Sequence, residues 1–189
     1  MKSPYLVSYE RLAESEKESR TRYDATLAFL RERLSGVAPL RTALDVGERS
    51  PFTQELEALL EISIENTSGD LDFVELDGSY DVILSFEVIE HLFNPLWHLC
   101  QLKKCLAPGG RIWLSTPKSK PHFLWSPHHF HEMHERELRA LFSRAGFCVA
   151  SMREIRVHPL SFYFSGLRPL LRLFFERVFL VELRHETTT

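Results

Sequence analysis

From Tyr9 to Leu34 the apolar residues Leu12, Tyr23, Leu27, Leu30 and Leu34 recur at helical spacing among many charges, which predicts one or two amphipathic helices ended by Gly36 and Pro39. The pattern then shortens. "TALDVG", Thr42 to Gly47, is a brief apolar strand, and Ser50 with Pro51 supplies an N-cap and first-turn residue for a helix over "PFTQELEALL". Two strand-like pieces, Ile62 to Glu65 and Asp81 to Phe86, are joined by polar and turn-forming residues that leave no room for a full helix. Asn94-Pro95 opens the next helix, with Leu96, Leu99, Leu102 and Leu106 on its buried side; "APGG" stops it before a strand over "RIWLSTP". Leu138, Leu141, Phe142 and Ala145 mark another helix, closed by Gly146. "FCVASMREIRV" alternates as a strand should, and "RVFLVELRHE" reads as the last one. Strands alternating with helices predict an α/β fold: a mostly parallel sheet with helices on both faces, trimmed between its second and fourth strands.

A chain of 189 residues, 44% hydrophobic and 26% charged, suits one domain with a sizeable core. Within it we read a helical cap over 1–40, a core over 41–157 and an aromatic, arginine-bearing segment with a last strand over 158–189. A net charge of −3 gives no reason to expect nucleic-acid binding, so a small-molecule substrate is the expected partner; nothing sets the oligomeric state. Cys100, Cys105 and Cys148 form no CxxC pair and read as reduced core residues. The polar N-terminus carries no apolar run of the secretory kind, which makes a cytoplasmic location the default expectation. No apolar stretch approaches the roughly 20 residues that cross a bilayer. The segment from Val157 to Phe179 is interrupted by prolines, a glycine and arginines; it cannot span a membrane but could touch one.

The order of motifs carries the chemistry. "LDVG" is followed by Glu65-Asn66, "GD", "YDVILSFEVIEHLFNPL", "LAPGGRIWLSTP" and "ELRALFSRAGF". Over Thr42 to Phe147 this resembles the class I S-adenosylmethionine-dependent methyltransferases, most specifically between Tyr80 and Pro117. The resemblance implies a Rossmann-like sheet with S-adenosylmethionine beyond the carboxyl ends of the strands. It implies that Asp45 and Gly47 lie by the methionine part, that Glu65 or Asn66 accepts the ribose hydroxyls, and that Asp70 with Leu71 meets the adenine. Phe86 and Glu87 would then face the sulfur. Two departures stand out: Arg49 and Pro51 occupy the place of two further loop glycines, and a helix is missing after the second strand. These favour a rival reading, a methyltransferase-like domain that binds without catalysing.

"FEVIEH" sets Glu87, Glu90 and His91 at helical spacing, and "PHFLWSPHHFHEMHE" adds His122, His128, His129, His131 and His134 after the "RIWLSTP" strand. A Glu-x-x-Glu-His with a distant His resembles the metal site of small-RNA 2′-O-methyltransferases, and its first part also occurs in ubiquinone-pathway O-methyltransferases. A divalent metal, if present, would take Glu87, Glu90, His91 and His131, although the metal-free reading is preferred here. An RNA substrate would also need a basic face that this acidic chain lacks. We take His131 as the expected general base, with Glu87 beside it, and His134 as a helix N-cap. The expected reaction is methyl transfer to a hydroxyl or similar nucleophile of a small metabolite, sugar or lipid precursor. For 158–179, with Phe162, Tyr163, Phe164, Phe174, Phe175 and Phe179 among Arg168, Arg172 and Arg177, the preferred expectation is a pair of helices packed across the sheet edge with arginines reaching water. The alternative is contact with a membrane or a lipid-linked substrate. Tyr9, Arg20, Arg22 and Tyr23 of the first helix are placed to close the site from the other side.

Overall fold

The computed structural model describes residues 9–186; the side chains of residues 9–18, Tyr9 and Leu12 among them, and of Arg168 lie outside the described part. The first pattern forms one helix, α1 (Tyr9–Leu34). It is followed by β1 (Ala43–Asp45), α2 (Pro51–Leu60), β2 (Ile64–Asn66), β3 (Tyr80–Phe86), α3 (Pro95–Cys105), β4 (Leu106–Pro117), α4 (Glu135–Arg144) and β5 (Phe147–Arg156). Two short helices, α5 (Leu160–Tyr163) and α6 (Leu167–Phe175), then lead into β6 (Arg177–His185). The six strands form one sheet in the order β2-β1-β3-β4-β6-β5. β2, β1, β3 and β4 run parallel, and β6 runs antiparallel to both β4 and β5. Every strand except β6 therefore ends at the same rim.

Alternation along the strands builds a core on each face, as the sequence pattern predicts. On one side Leu99 and Leu102 of α3 and Leu138 and Phe142 of α4 cover Leu44, Ile83, Ile112 and Leu183. On the other, Leu27 and Leu30 of α1 and Leu56 of α2 cover Val82, Leu84, Trp113 and Leu180. The caps follow the sequence signals: Asn94 accepts the Trp97 N–H at 3.0 Å, and the backbone N–H of His134 donates to Glu137 at 2.9 Å. No helix separates β2 from β3, which is the trimming expected from the short polar link.

Four expectations differ from the structure. Leu106 and "APGG" belong to β4 rather than to the end of α3, because Leu106 already takes an extended conformation (φ −80°, ψ 120°). β2 begins at Ile64 rather than Ile62, because Glu61 takes a left-handed conformation (φ 58°) to close α2 before the chain can extend. Only Cys105 is a core cysteine; Cys100 lies on the outer side of α3 and Cys148 points outward from the edge strand β5. In the C-terminal segment Tyr163 is buried, but Leu167, Leu171, Phe174 and Phe175 of α6 are exposed, so this helix does not pack across the sheet edge.

His98 of α3 is buried, its Nε2 has no partner among the described residues, and burial pushes its pKa down to about 4. Above the unfolded value near 6.5 the imidazole is neutral in both states and adds no pH dependence to stability. Below it the unfolded chain takes up a proton that the folded chain refuses, so stability falls as the pH drops towards 4. At about 1.4 kcal/mol per pKa unit, on the order of 3 kcal/mol is lost by pH 4. Urea denaturation should show a His98→Leu variant losing about that much less than the unaltered protein between pH 7 and pH 4; equal losses would contradict this assignment.

Candidate active site

The parallel register brings the ends of the first three strands level: Asp45 pairs with Asn66 on one side and Leu84 on the other. In an open α/β sheet this is where a ligand sits. Asp45 is half-buried here, and its carboxylate is met by the Thr53 hydroxyl at 2.6 Å and the Asn66 amide at 3.3 Å. Burial pushes its pKa up to about 6, against the opposing pull of Thr53, Asn66 and Arg49. The loop after it is braced from several directions. Asn66 also donates to the Gly47 carbonyl at 3.2 Å, the Gly47 N–H donates to the Thr67 hydroxyl at 2.8 Å, and Ser50 and Thr53 cap α2 reciprocally. Arg49, the bulky departure from a glycine-rich loop, turns outward to pair with Glu57. Gly47 adopts φ +121°, and a Cβ built there would meet nothing within 4 Å, so its backbone faces open space.

A cavity over this loop is lined by Arg22, Tyr23, Asp45, Ser50, Phe86 and Glu87, among others. α1 supplies its outer wall. Tyr23 stacks on Phe52 with ring centroids 4.1 Å apart, and Phe52 meets Phe86 edge-on at 5.9 Å. Arg22 reaches across to Glu87 at 2.7 Å. Glu87 itself is held left-handed (φ 55°) at the end of β3, where the Ser115 hydroxyl donates to its carboxylate at 2.7 Å and the Ser115 backbone carbonyl accepts its N–H at 3.0 Å. A non-glycine residue in this region costs on the order of 1 kcal/mol and is kept where the surroundings determine it.

Arg22 and Glu87 also line a second cavity, together with Glu90, His91, Lys120, His129 and Arg177. Here Glu90, His91 and His129 each offer a ligand atom within 4.8 Å of the others. Glu90 is fully buried; Thr116 donates to one of its oxygens at 3.2 Å, while Oε1 has no hydrogen-bond partner among the described residues and lies 3.9 Å from His91 Nε2. Burial, and then the charge of Glu87, hold its pKa well above the usual carboxylate range. His91 Nδ1 faces the His128 carbonyl at 2.9 Å, and His129 Nδ1 faces Glu132 at 2.7 Å, which leaves both Nε2 atoms free. Glu132 is buried and also takes Lys120 at 2.9 Å.

Of the residues singled out from sequence, Asp45, Phe86 and Glu87 line the first cavity, and Gly47 shapes the loop beneath it. Asn66 is committed to bracing that loop, whereas Glu65 is exposed at the strand end and accepts the Tyr80 hydroxyl at 2.9 Å. Asp70 accepts the Asp72 N–H at 3.0 Å within its own turn, and Leu71 packs on the core. His131 lines neither cavity: the N–H groups of Phe130 and His131 both bond the Glu90 carbonyl, a grip that presents His129 to the cavity instead. His129 rather than His131 thus lines the second cavity and stands with Glu90 and His91, and Glu87, also expected among the metal ligands, lies outside that group. Thr53, Ser115 and Glu132 were missed. Thr53, three residues after the Ser50 cap, had a signal in the capping spacing; the other two had none.

The sequence matches the methyltransferase domain family over residues 18–152. The chain belongs to that family. A ubiquinone biosynthesis O-methyltransferase of Nitrosococcus oceani is 30% identical over 96 residues, which cover 49% of this chain and 41% of that protein. This chain spans less than half the length of the curated relatives it matches. The methyltransferase bound to the Haloferax volcanii Trm112 activator superposes with a TM-score of 0.66 at 18% identity, covering 95% of this chain and 94% of that one. Burkholderia thailandensis 1,6-didemethyltoxoflavin-N1-methyltransferase, solved with S-adenosylhomocysteine bound, gives 0.59 at 15% identity over 99% and 94%. The methyltransferase fold is thus the Rossmann-like one expected, with S-adenosylmethionine as its cofactor. The first cavity fits that group: Asp45 offers a carboxylate, Arg22 a guanidinium, and Tyr23, Phe52 and Phe86 apolar walls.

Because Thr53 donates to an Asp45 that is ionised above about pH 6, Thr53→Val should cost the methyltransferase domain about 1–2 kcal/mol of stability at pH 8 and less at pH 5. Denaturant unfolding at the two pH values checks this; a loss independent of pH would contradict it.

Proposed function

We propose that this domain transfers the methyl group of S-adenosylmethionine to a hydroxyl, or a similar nucleophile, of a small metabolite, sugar or lipid precursor. One observation carries the reading: a cavity over the braced Asp45 loop and a cavity holding two imidazoles meet at Arg22 and Glu87. The relatives named as ubiquinone biosynthesis O-methyltransferases support an oxygen acceptor.

S-adenosylmethionine supplies a methyl group already activated by its sulfonium, so the protein's task is alignment. Asp45, ionised, attracts the ammonium of the methionine part. Arg22 is placed to exchange part of its pairing with Glu87 for the methionine carboxylate, and Glu87, fixed by Ser115, marks the boundary between donor and acceptor. His129 accepts the proton that the acceptor hydroxyl must lose, and Glu132 behind its Nδ1 stabilises the imidazolium that forms.

A second reading adds a divalent cation. The buried, unpartnered Oε1 of Glu90 and two imidazoles whose Nδ1 atoms are already engaged are the arrangement a three-ligand site needs. Such an ion would take Glu90, His91 and His129 and lower the pKa of an acceptor hydroxyl bound to it. Manganese added to the purified protein should then raise its melting temperature, and His129→Ala should abolish the rise; no shift in the unaltered protein favours the metal-free route.

Calorimetric titration with S-adenosylhomocysteine tests the main reading. Saturable binding is expected, and Asp45→Asn should weaken it by about 10- to 100-fold, equivalent to roughly 1.4–2.7 kcal/mol. Since Asp45 is ionised only above about pH 6, affinity for this ammonium-bearing ligand should fall about tenfold between pH 7 and pH 5, and the fall should vanish in Asp45→Asn. Absence of binding to a folded sample would sink the reading. Turnover is scored by S-adenosylhomocysteine released in the presence of a panel of small phenols and sugars, where His129→Gln should lower kcat at least tenfold. Binding without turnover across such acceptors would point to the non-catalytic rival.

A further inference from the structure

We infer that the rim around the two cavities docks on an anionic lipid surface, with α6 as the element that enters it. Among the described residues, the large apolar side chains left exposed lie in the segments that follow β2, β3, β4 and β5. Those strands are parallel, directly or through β6, so the segments leave from one end of the sheet. Phe73, 80% exposed, follows β2; Phe93 follows β3 and stacks on Phe130, which follows β4, at 4.1 Å. The Asp72 carboxylate accepts the N–H groups of Phe93 and Asn94 at 3.0 and 2.9 Å, which pins the first of these loops to the second. The excursion between β5 and β6 adds α6, whose exposed Leu167, Leu171 and Phe174 recur at helical spacing.

Several separate loops and a helix showing apolar tips at one rim suit a broad fluid surface better than a shaped pocket on a protein. Charge selects the kind of surface. The chain as a whole is acidic, and the Phe73 loop carries Asp70, Asp72, Glu75 and Asp77, so its contribution to the surface is the apolar tip alone; residues 158–177, by contrast, contain three arginines against Glu176 alone, which makes α6 the element that meets the headgroup charge. That glutamate is engaged by His158 at 3.4 Å and Arg172 at 3.6 Å. An apolar helix in a cationic segment matches a bilayer bearing anionic headgroups. Among the described residues no helix is long and apolar enough to cross a membrane, so the contact is peripheral. Val157, Glu176 and Arg177, at the roots of this excursion, line the second cavity, which would open towards the lipid.

Co-sedimentation of the whole chain with large vesicles tests the inference, and it needs no cofactor, so it stands or falls apart from the methyl-transfer reading. Binding is expected to vesicles of phosphatidylcholine mixed with phosphatidylglycerol, weaker by roughly tenfold or more on phosphatidylcholine alone and weakened by added salt. Leu171→Asp with Phe174→Asp should remove it, while leaving the far-UV circular dichroism and melting temperature unchanged because both side chains already face water. As a second variant, Phe73→Ser should lower binding several-fold. No binding of the unaltered protein, or equal binding to neutral and anionic vesicles, would overturn the proposal. So would a stable dimer in light scattering that the double variant dissolves, because the apolar face would then belong to a second copy of the chain.

Discussion

A half-buried carboxylate at the end of the first strand is the constraint on which the site depends. Asp45 ends a three-residue strand flanked by β2 and β3, and burial alone would drive it to the neutral form. Thr53 from α2 and Asn66 from β2 reach it, and the same Asn66 holds the Gly47 carbonyl. Two elements are thereby tied to one anion, and the loop between them takes its shape from side-chain hydrogen bonds. Glycines elsewhere in such loops allow close backbone approach. Here Arg49 is drawn away by Glu57 and Pro51 begins the helix at once, which leaves the backbone at Gly47 facing open space.

The same economy governs the boundary between the two cavities. Glu87 stands at a strained backbone position, and Ser115 and Arg22 together fix both of its carboxylate oxygens. Because Arg22 comes from α1, the helix that covers one face of the sheet also walls the first cavity. Glu90, three residues on, turns into the protein, and its backbone carbonyl holds the loop that carries His129. Positioning of this kind is the larger part of what methyl transfer asks of a protein.

Much of this was legible in the sequence, for identifiable reasons. Strand and helix periodicities differ, so the alternation of elements and the absence of a helix between β2 and β3 could be read directly. The pairing of Ser50 with Pro51 and of Asn94 with Pro95 gave helix starts to the residue. What could not be read depends on direction within irregular backbone. Whether His129 or His131 faces the cavity is decided by two N–H groups bonding the Glu90 carbonyl, and adjacent histidines in a loop carry no periodicity to reveal it. The outward turn of Arg49 depends on Glu57, eight positions away on the far side of a helix start. The exposure of α6 was equally hidden, since an apolar stripe looks the same whether it meets the protein or something outside it.

Hydrogen–deuterium exchange of the backbone around Asp45 tests the central claim most directly. With S-adenosylhomocysteine added, exchange should slow in two places at once, the loop from Val46 to Ser50 and the stretch of α1 around Arg22 and Tyr23, with little change in β5 and β6. Slower exchange elsewhere with both of these segments unaltered would contradict it, because the ligand would then be bound without the loop that Asp45 builds.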